Sequence, residues 1–98
     1  MSYDSKFKNE AIDRMFEAVL SLETEEDCYR FFEDLCTVKE LQEMSQRYHV
    51  ARMLADKRTY TEIEKETGAS TATISRINKC LVYGANGYKS TIDKIKNK

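Results

Sequence analysis

The sequence predicts an all-α fold of six helices arranged around a helix-turn-helix, and three observations carry that reading. Apolar residues recur every three or four positions through most of the chain, the period of an amphipathic helix rather than a strand. No proline occurs, and the first glycine stands at position 68, so residues 1–67 hold no strong helix breaker. That glycine divides the stretch YTEIEKETGASTATISRINKCL, residues 60–81, into two short helical segments.

Taken in order, residues 5–22 place Phe7, Ala11, Ile12, Met15, Phe16, Val19 and Leu22 on one face of a first helix. Thr24 and Asp27 have the spacing of a capping box, with Glu25 and Glu26 suited to the positive end of a second helix over 25–35. Cys28, Phe31, Phe32 and Leu35 are its expected buried face. Thr37 and Glu40 form a second box, opening a long third helix to about Asp56 whose inner positions include Leu41, Met44, Tyr48, Ala51 and Leu54.

Thr61 is read as the cap of the fourth helix, with Ile63 pointing inward and Glu62, Glu64 and Glu66 solvated. Gly68 can adopt the left-handed conformation that ends a helix and redirects the chain. Ser70 is a good N-cap for the fifth helix, running through Thr71 to about Leu81. Ile74, Ile77 and Leu81 make its apolar stripe, while Ala72, Ser75, Arg76 and Lys79 occupy the other side. Residues 82–90 read as a loop, and Ile92 and Ile95 indicate a last short helix from about Ser90.

Small hydroxyl- and methyl-bearing residues at the start of a helix let it enter the major groove of DNA, and cations one turn later can reach phosphates. Two helices joined at a tight turn, the second carrying this pattern, match a helix-turn-helix with its recognition helix. An ordinary helical hairpin capped by Ser and Gly is the alternative on spacing alone. Two positions depart from the usual pattern: Glu64 stands where such units carry Ala, and Thr67 where they carry an aliphatic residue.

Composition narrows the possibilities. Ninety-eight residues is a single small domain, and no run is long and apolar enough for a membrane span. The polar start MSYDSKFKNE has no apolar core of a signal peptide, and three cysteines, an odd number, form no disulfide framework. A reduced, cytoplasmic setting is expected. The net charge of −1 hides a division: residues 71–98 hold six Lys and Arg against one acidic residue, and residues 1–70 hold ten against sixteen. A basic end directed at a polyanion accounts for this polarity, and for Lys94–Lys98 alone a solvated tail accounts for it equally.

Other chemistry is sparse. His49 has no His or Cys at metal-ligand spacing, Cys28 and Cys36 do not read as a zinc site, and no phosphate loop or nucleophile elbow is present. Neither an enzyme nor a cofactor or metal site is expected.

From Leu35 to Leu81 the chain resembles the Trp repressor family, most closely its shorter YerC/YecD-like branch. The resemblance rests on Leu35-Cys36-Thr37 at the start of the long helix, on Arg47, and on the run from Gly68 through Ser75 to Arg76. It implies a DNA-binding transcriptional regulator, a repressor, acting as an intertwined homodimer on a double-stranded operator. The implied DNA-contacting residues are Ser70, Thr71, Ala72, Thr73, Ser75, Arg76 and Lys79. Where the Trp repressor has basic residues on the first element of the unit, this chain has Thr61 and Glu64.

The family's ligand pocket maps onto Thr37, Arg47, Arg76, Ile77 and Cys80. Two arginines there sandwich the indole of tryptophan, and their counterparts are Arg47 and Arg76. Ile77, however, stands where the repressor has a glycine, and Cys80 replaces a hydrogen-bonding serine. A bulky side chain and a weak thiol donor both oppose the indole, so L-tryptophan is not the expected corepressor.

Three amphipathic helices ahead of the unit carry more apolar face than its support requires. A two-fold dimer would bury the surplus, and a monomer with a larger private core is the alternative. Two function classes remain open: a sequence-specific DNA-binding repressor, and a protein-interaction module with the same shape that does not read DNA. Residues 1–57 would then be dimerisation and core helices, 60–81 the helix-turn-helix, and 82–98 a loop and terminal helix.

Overall fold

Side-chain caps decide where the helices of this chain begin, and the computed structural model describes them for residues 3–98. Met1 and Ser2, part of the polar start discussed above, lie outside the described residues. Six helices and no strand are found among the described residues. Residues up to Thr37 make one compact unit, and Val38–Lys98 make a second.

The first unit holds α1 (Glu10–Leu20) and α2 (Glu25–Leu35). α1 is shorter than the expected 5–22 because Asn9 caps it, its side chain accepting from the Ile12 amide at 2.8 Å. Upstream, Ser5 turns the backbone by accepting from the Phe7 amide, so Phe7 precedes the helix and stays exposed. At the other end the Ser21 hydroxyl donates to the Ala18 carbonyl at 2.6 Å. α2 starts at the expected box: Thr24 Oγ1 accepts from the Asp27 amide at 3.0 Å, and Asp27 accepts from the amides of Glu23 and Thr24.

The expected burial of α2 does not occur within the chain. Cys28 and Leu35 are exposed, while Phe31 and Phe32 are half-buried and pack edge-to-face with centroids 5.4 Å apart. Neither α1 nor α2 contains a fully buried residue. Two helices of eleven residues each have too little surface to enclose a core between them.

In the second unit α3 (Val38–Ala55) packs against α4 (Tyr60–Thr67), α5 (Thr71–Tyr83) and α6 (Gly87–Lys96). The core comprises Val50, Ala51, Met53, Ile63, Ala69, Ile74 and Ile77, with Leu54, Tyr60, Tyr88 and Ile92 packed around it. Of the inner positions expected on α3, only Ala51 is fully buried. Leu41, Tyr48 and Leu54 are half-buried, and Met44 is exposed. Burial on α3 concentrates in its C-terminal half, where Val50 and Met53 face α4 and α5, because those short helices cover only that half.

α3 ends without a glycine. Lys57 takes the left-handed conformation at φ 65°, the Arg58 amide donates to the Met53 carbonyl at 3.1 Å, and the Lys57 amide donates to Leu54 at 3.0 Å. This pair of bonds is the Schellman termination, usually made with glycine. Thr59, not Thr61, then caps α4. Its hydroxyl accepts from the Glu62 amide at 3.2 Å, and Glu62 accepts from the Thr59 amide at 3.0 Å. Beginning two residues earlier brings Tyr60 into the helix and against the core.

α5 runs to Tyr83 and α6 starts at Gly87, so the expected loop over 82–90 shrinks to three residues. Gly84 permits this: a Cβ there would collide with the Cys80 carbonyl, which accepts the Gly84 amide. Asn86, left-handed at φ 68°, turns the chain into α6.

Candidate nucleic-acid interface

Gly68, at φ 77° and ψ 3°, closes α4 with its amide on the Glu64 carbonyl at 2.9 Å. Only a residue without Cβ takes that conformation at low cost. Thr67, out of pattern for a helix-turn-helix, braces the turn through its hydroxyl. Oγ1 donates to the Ile63 carbonyl at 2.7 Å and accepts from the Ala69 amide at 3.1 Å. From α3, Gln46 Nε2 donates to the Thr67 carbonyl at 3.0 Å, tying the turn to the long helix. Sequence reasoning did not find Gln46 or the role of Thr67, although a hydroxyl one residue before a C-terminal glycine was a usable sign.

Ser70 caps α5 as expected. Its Oγ accepts from the Thr73 amide at 3.2 Å, and its hydroxyl donates to Thr73 Oγ1 at 3.1 Å. Ile74 and Ile77, 0% and 2% exposed, anchor α5 in the core, and Leu81 continues the stripe half-buried. Ala72, Ser75, Arg76 and Lys79 are all exposed, at the i, i+3, i+4 and i+7 spacing of one helix face. Thr71 is exposed at the leading end, and Thr73 is half-buried. Arg76 and Lys79 make no ion pair with any described residue, so both charges are available to an anion.

The carboxylates of α4 were expected to be merely solvated, but each has a partner. Glu62 closes the cap and meets Arg58 at 3.4 Å. Donation from the Thr59 amide and hydroxyl, helped by Arg58, holds its carboxyl below the ordinary range. Glu66 lies 3.2 Å from His49 Nε2 and 3.9 Å from Arg58. His49 therefore bridges α3 to α4. Glu64 takes the hydrogen of Thr71 Oγ1 at 2.6 Å, joining α4 to the first residue of α5.

Of the pocket counterparts, Thr37 ends the first unit and is exposed. In the second unit Arg47 is half-buried, Arg76 and Cys80 are exposed, and Ile77 is enclosed. The isoleucine thus fills core space instead of lining a cavity. No described helix is long and apolar enough to cross a membrane. Among the described residues no three His, Cys, Asp or Glu side chains stand together as a metal site.

A family model described as Trp repressor protein matches residues 10–96. The chain is 52% identical over 91 residues to the uncharacterised protein YerC of Bacillus subtilis (strain 168), covering 93% of this chain and 88% of YerC. It superimposes with a TM-score of 0.89 on a crystal structure of a TrpR-like protein from Eubacterium eligens ATCC 27750. That protein is 47% identical, with 93% of this chain and 94% of that one covered. A solved chain from Staphylococcus aureus gives a TM-score of 0.88 at 47% identity, over 95% and 93% of the two chains. The all-α, Trp-repressor-like architecture is shared along nearly the whole chain. With the family match spanning α1 to α6 and a YerC relative more than half identical, the chain belongs to the Trp repressor family and is a YerC-type member of it.

Proposed function

We propose that this protein is a sequence-specific DNA-binding transcriptional repressor acting in the cytoplasm as a homodimer. The observation that carries the reading is the exposed face of α5. Ala72, Ser75, Arg76 and Lys79 share it, its two cations are unpaired among the described residues, and Ile74 and Ile77 lock the helix to the core. Such a helix can enter the major groove, with Thr71, Ala72, Thr73 and Ser75 toward base edges and Ser70 at the groove mouth. Arg76 and Lys79 then turn to the phosphates. Residues 60–81 are the reading unit, residues 1–57 the dimerising and core helices, and residues 82–98 the loop and terminal helix.

The uncovered faces of the first unit support the dimer. Phe16 is 53% exposed, Leu20 85% and Leu35 48%, on helices with no buried residue of their own. A second copy covering those faces about a two-fold axis would set two recognition helices roughly 34 Å apart, one turn of B-DNA. The operator is then a near-palindrome. On this reading L-tryptophan is not its corepressor: Ile77, where the resemblance puts a glycine in the ligand pocket, is 2% exposed and part of the core. The second reading, a protein-interaction module, draws on Glu64, which sets a carboxylate beside the leading end of α5.

An electrophoretic shift with a salt titration tests the two. Four α5 cations per dimer give a log–log slope of at least about −3.6 in salt, from about 0.9 per phosphate neutralised. Ala72→Glu abolishes specific binding while leaving the dimer intact. No shift, or one insensitive to salt, assigns the protein to the second class, whereas a specific shift that survives Ala72→Glu means that the recognition helix is misplaced.

A further inference from the structure

We infer that Glu64 is a specificity-determining residue of the recognition surface: it fixes the polarity of the Thr71 hydroxyl and directs that position to cytosine. The inference rests on reading α5 as the recognition helix. A hydroxyl has one hydrogen to give and two lone pairs to accept with, and a carboxylate only accepts. In the 2.6 Å bond between Thr71 Oγ1 and Glu64 Oε1 the hydrogen must therefore come from threonine. With that hydrogen committed, Thr71 offers only lone pairs to anything that docks on it.

The neighbouring hydroxyls are set differently. Ser70 gives its hydrogen to Thr73 and accepts the Thr73 amide, so it is engaged as a cap. Thr73 receives that hydrogen and keeps its own, but is half-buried. Ser75 has no hydrogen-bond partner among the described residues, and its free rotor can donate or accept. Thr71 is thus the exposed hydroxyl of the α5 N-terminus whose hydrogen is committed while both lone pairs stay open, since Ser70 spends one of its own on the Thr73 amide.

In the major groove the base donors are the exocyclic amino groups of adenine and cytosine, while thymine O4 and guanine O6 and N7 only accept. An acceptor-only oxygen selects the amino-bearing pair. The adjacent carboxylate then separates those two bases. Adenine presents the N7 lone pair beside its amino group, facing the negative oxygens, whereas cytosine presents a C–H there. Thr71 Oγ1, backed by the Glu64 carboxylate, forms an acceptor site matched to the one groove-facing hydrogen of cytosine N4. The same carboxylate repels phosphate, so it lowers non-specific affinity while sharpening the choice of base.

Selection of bound sequences from randomised duplex DNA tests this, using the full-length wild type, Thr71→Val and Glu64→Ala. Circular dichroism first establishes that each is folded. The wild type should enrich a motif with a fixed cytosine at one position in each half-site. Thr71→Val removes the hydroxyl at nearly constant shape and should relax that position alone, by about tenfold in preference over thymine. Glu64→Ala should relax the same position and tighten binding to non-specific DNA. If the wild type enriches no motif, DNA reading itself fails. If a motif is enriched but both folded variants keep every position, or the relaxed position held guanine or thymine, DNA reading stands and the role of Glu64 is overturned.

Discussion

Ile77 offers the sharpest test of why this family member should work without tryptophan. The side chain is 2% exposed and stands in the core with Val50, Met53, Ile63 and Ile74. Ile77→Val removes one methylene and costs about 1 kcal/mol. Ile77→Ala removes three carbons, worth about 2.4 kcal/mol by transfer, and the cavity left behind brings the loss to roughly 3–4 kcal/mol. For a domain of this size each kcal/mol moves the melting temperature by roughly 4–8 °C, so the alanine variant should melt about 12–30 °C lower. The assay is thermal unfolding by circular dichroism at one fixed protein concentration, with Cys80→Ser, at an exposed site, as a control expected within about 0.5 kcal/mol. Millimolar L-tryptophan should leave the wild-type melt unmoved, and calorimetry should show no saturable heat. A ligand at a hundred times its Kd would add about 2.7 kcal/mol, a displacement of many degrees that could not be missed. Melting of Ile77→Ala within about 2 °C of wild type, or a saturable upward shift with tryptophan, would refute the idea that isoleucine fills the ligand's place.

Thr59→Ala should destabilise α4 by about 1 kcal/mol through loss of its cap, measured by urea unfolding. The acid limb of stability carries a further sign. The folded-state carboxyl of Glu62 is held below its ordinary value of 4.5, so its contribution is complete above that pH and lost as pH falls below it. Glu62→Gln should flatten that limb, and an acid limb as steep as wild type would contradict the assignment. Gly84→Ala drives a Cβ into the Cys80 carbonyl and should cost roughly 1–2 kcal/mol in urea unfolding, fraying the last turn of α5. Lys57→Gly, at φ 65°, should raise stability by about 1 kcal/mol, whereas Lys57→Ala should leave it nearly unchanged.

The start of α4 shows where sequence reading reaches its limit. Thr59 and Glu62 have capping-box spacing, and so do Thr61 and Glu64. Local chemistry cannot choose between two overlapping boxes. Burial of Tyr60 against the core favours the first, and the bond to Thr71 draws Glu64 away from the second. The end of α3 was equally hidden, because a lysine there takes the conformation that a glycine would have advertised. By contrast, Thr24 with Asp27, Gly68 and Ser70 each act within a few residues of chain, and their roles were legible without any tertiary knowledge. The exposed polar face of α5 was legible because a period of about 3.6 separates buried Ile74 and Ile77 from Ser75, Arg76 and Lys79. The bracing of the turn by Gln46 spans 21 positions, and no local pattern announces it.

The placement of the core also sets an order of events in time. All seven buried residues among those described fall between Val50 and Ile77, so the centre of the second unit closes over short loops. Helical topologies of such local character fold in microseconds to milliseconds. The ribosome delivers α1 and α2 first, yet neither owns a buried residue. Their apolar faces therefore wait, exposed, while the second unit downstream is made and folds. In the proposed dimer, cover from a second copy would make that wait depend on how many chains are present, and would turn the final step of folding into a second-order reaction. Maturation of such a dimer would run opposite to its synthesis, from the α3–α6 unit back to the N-terminus.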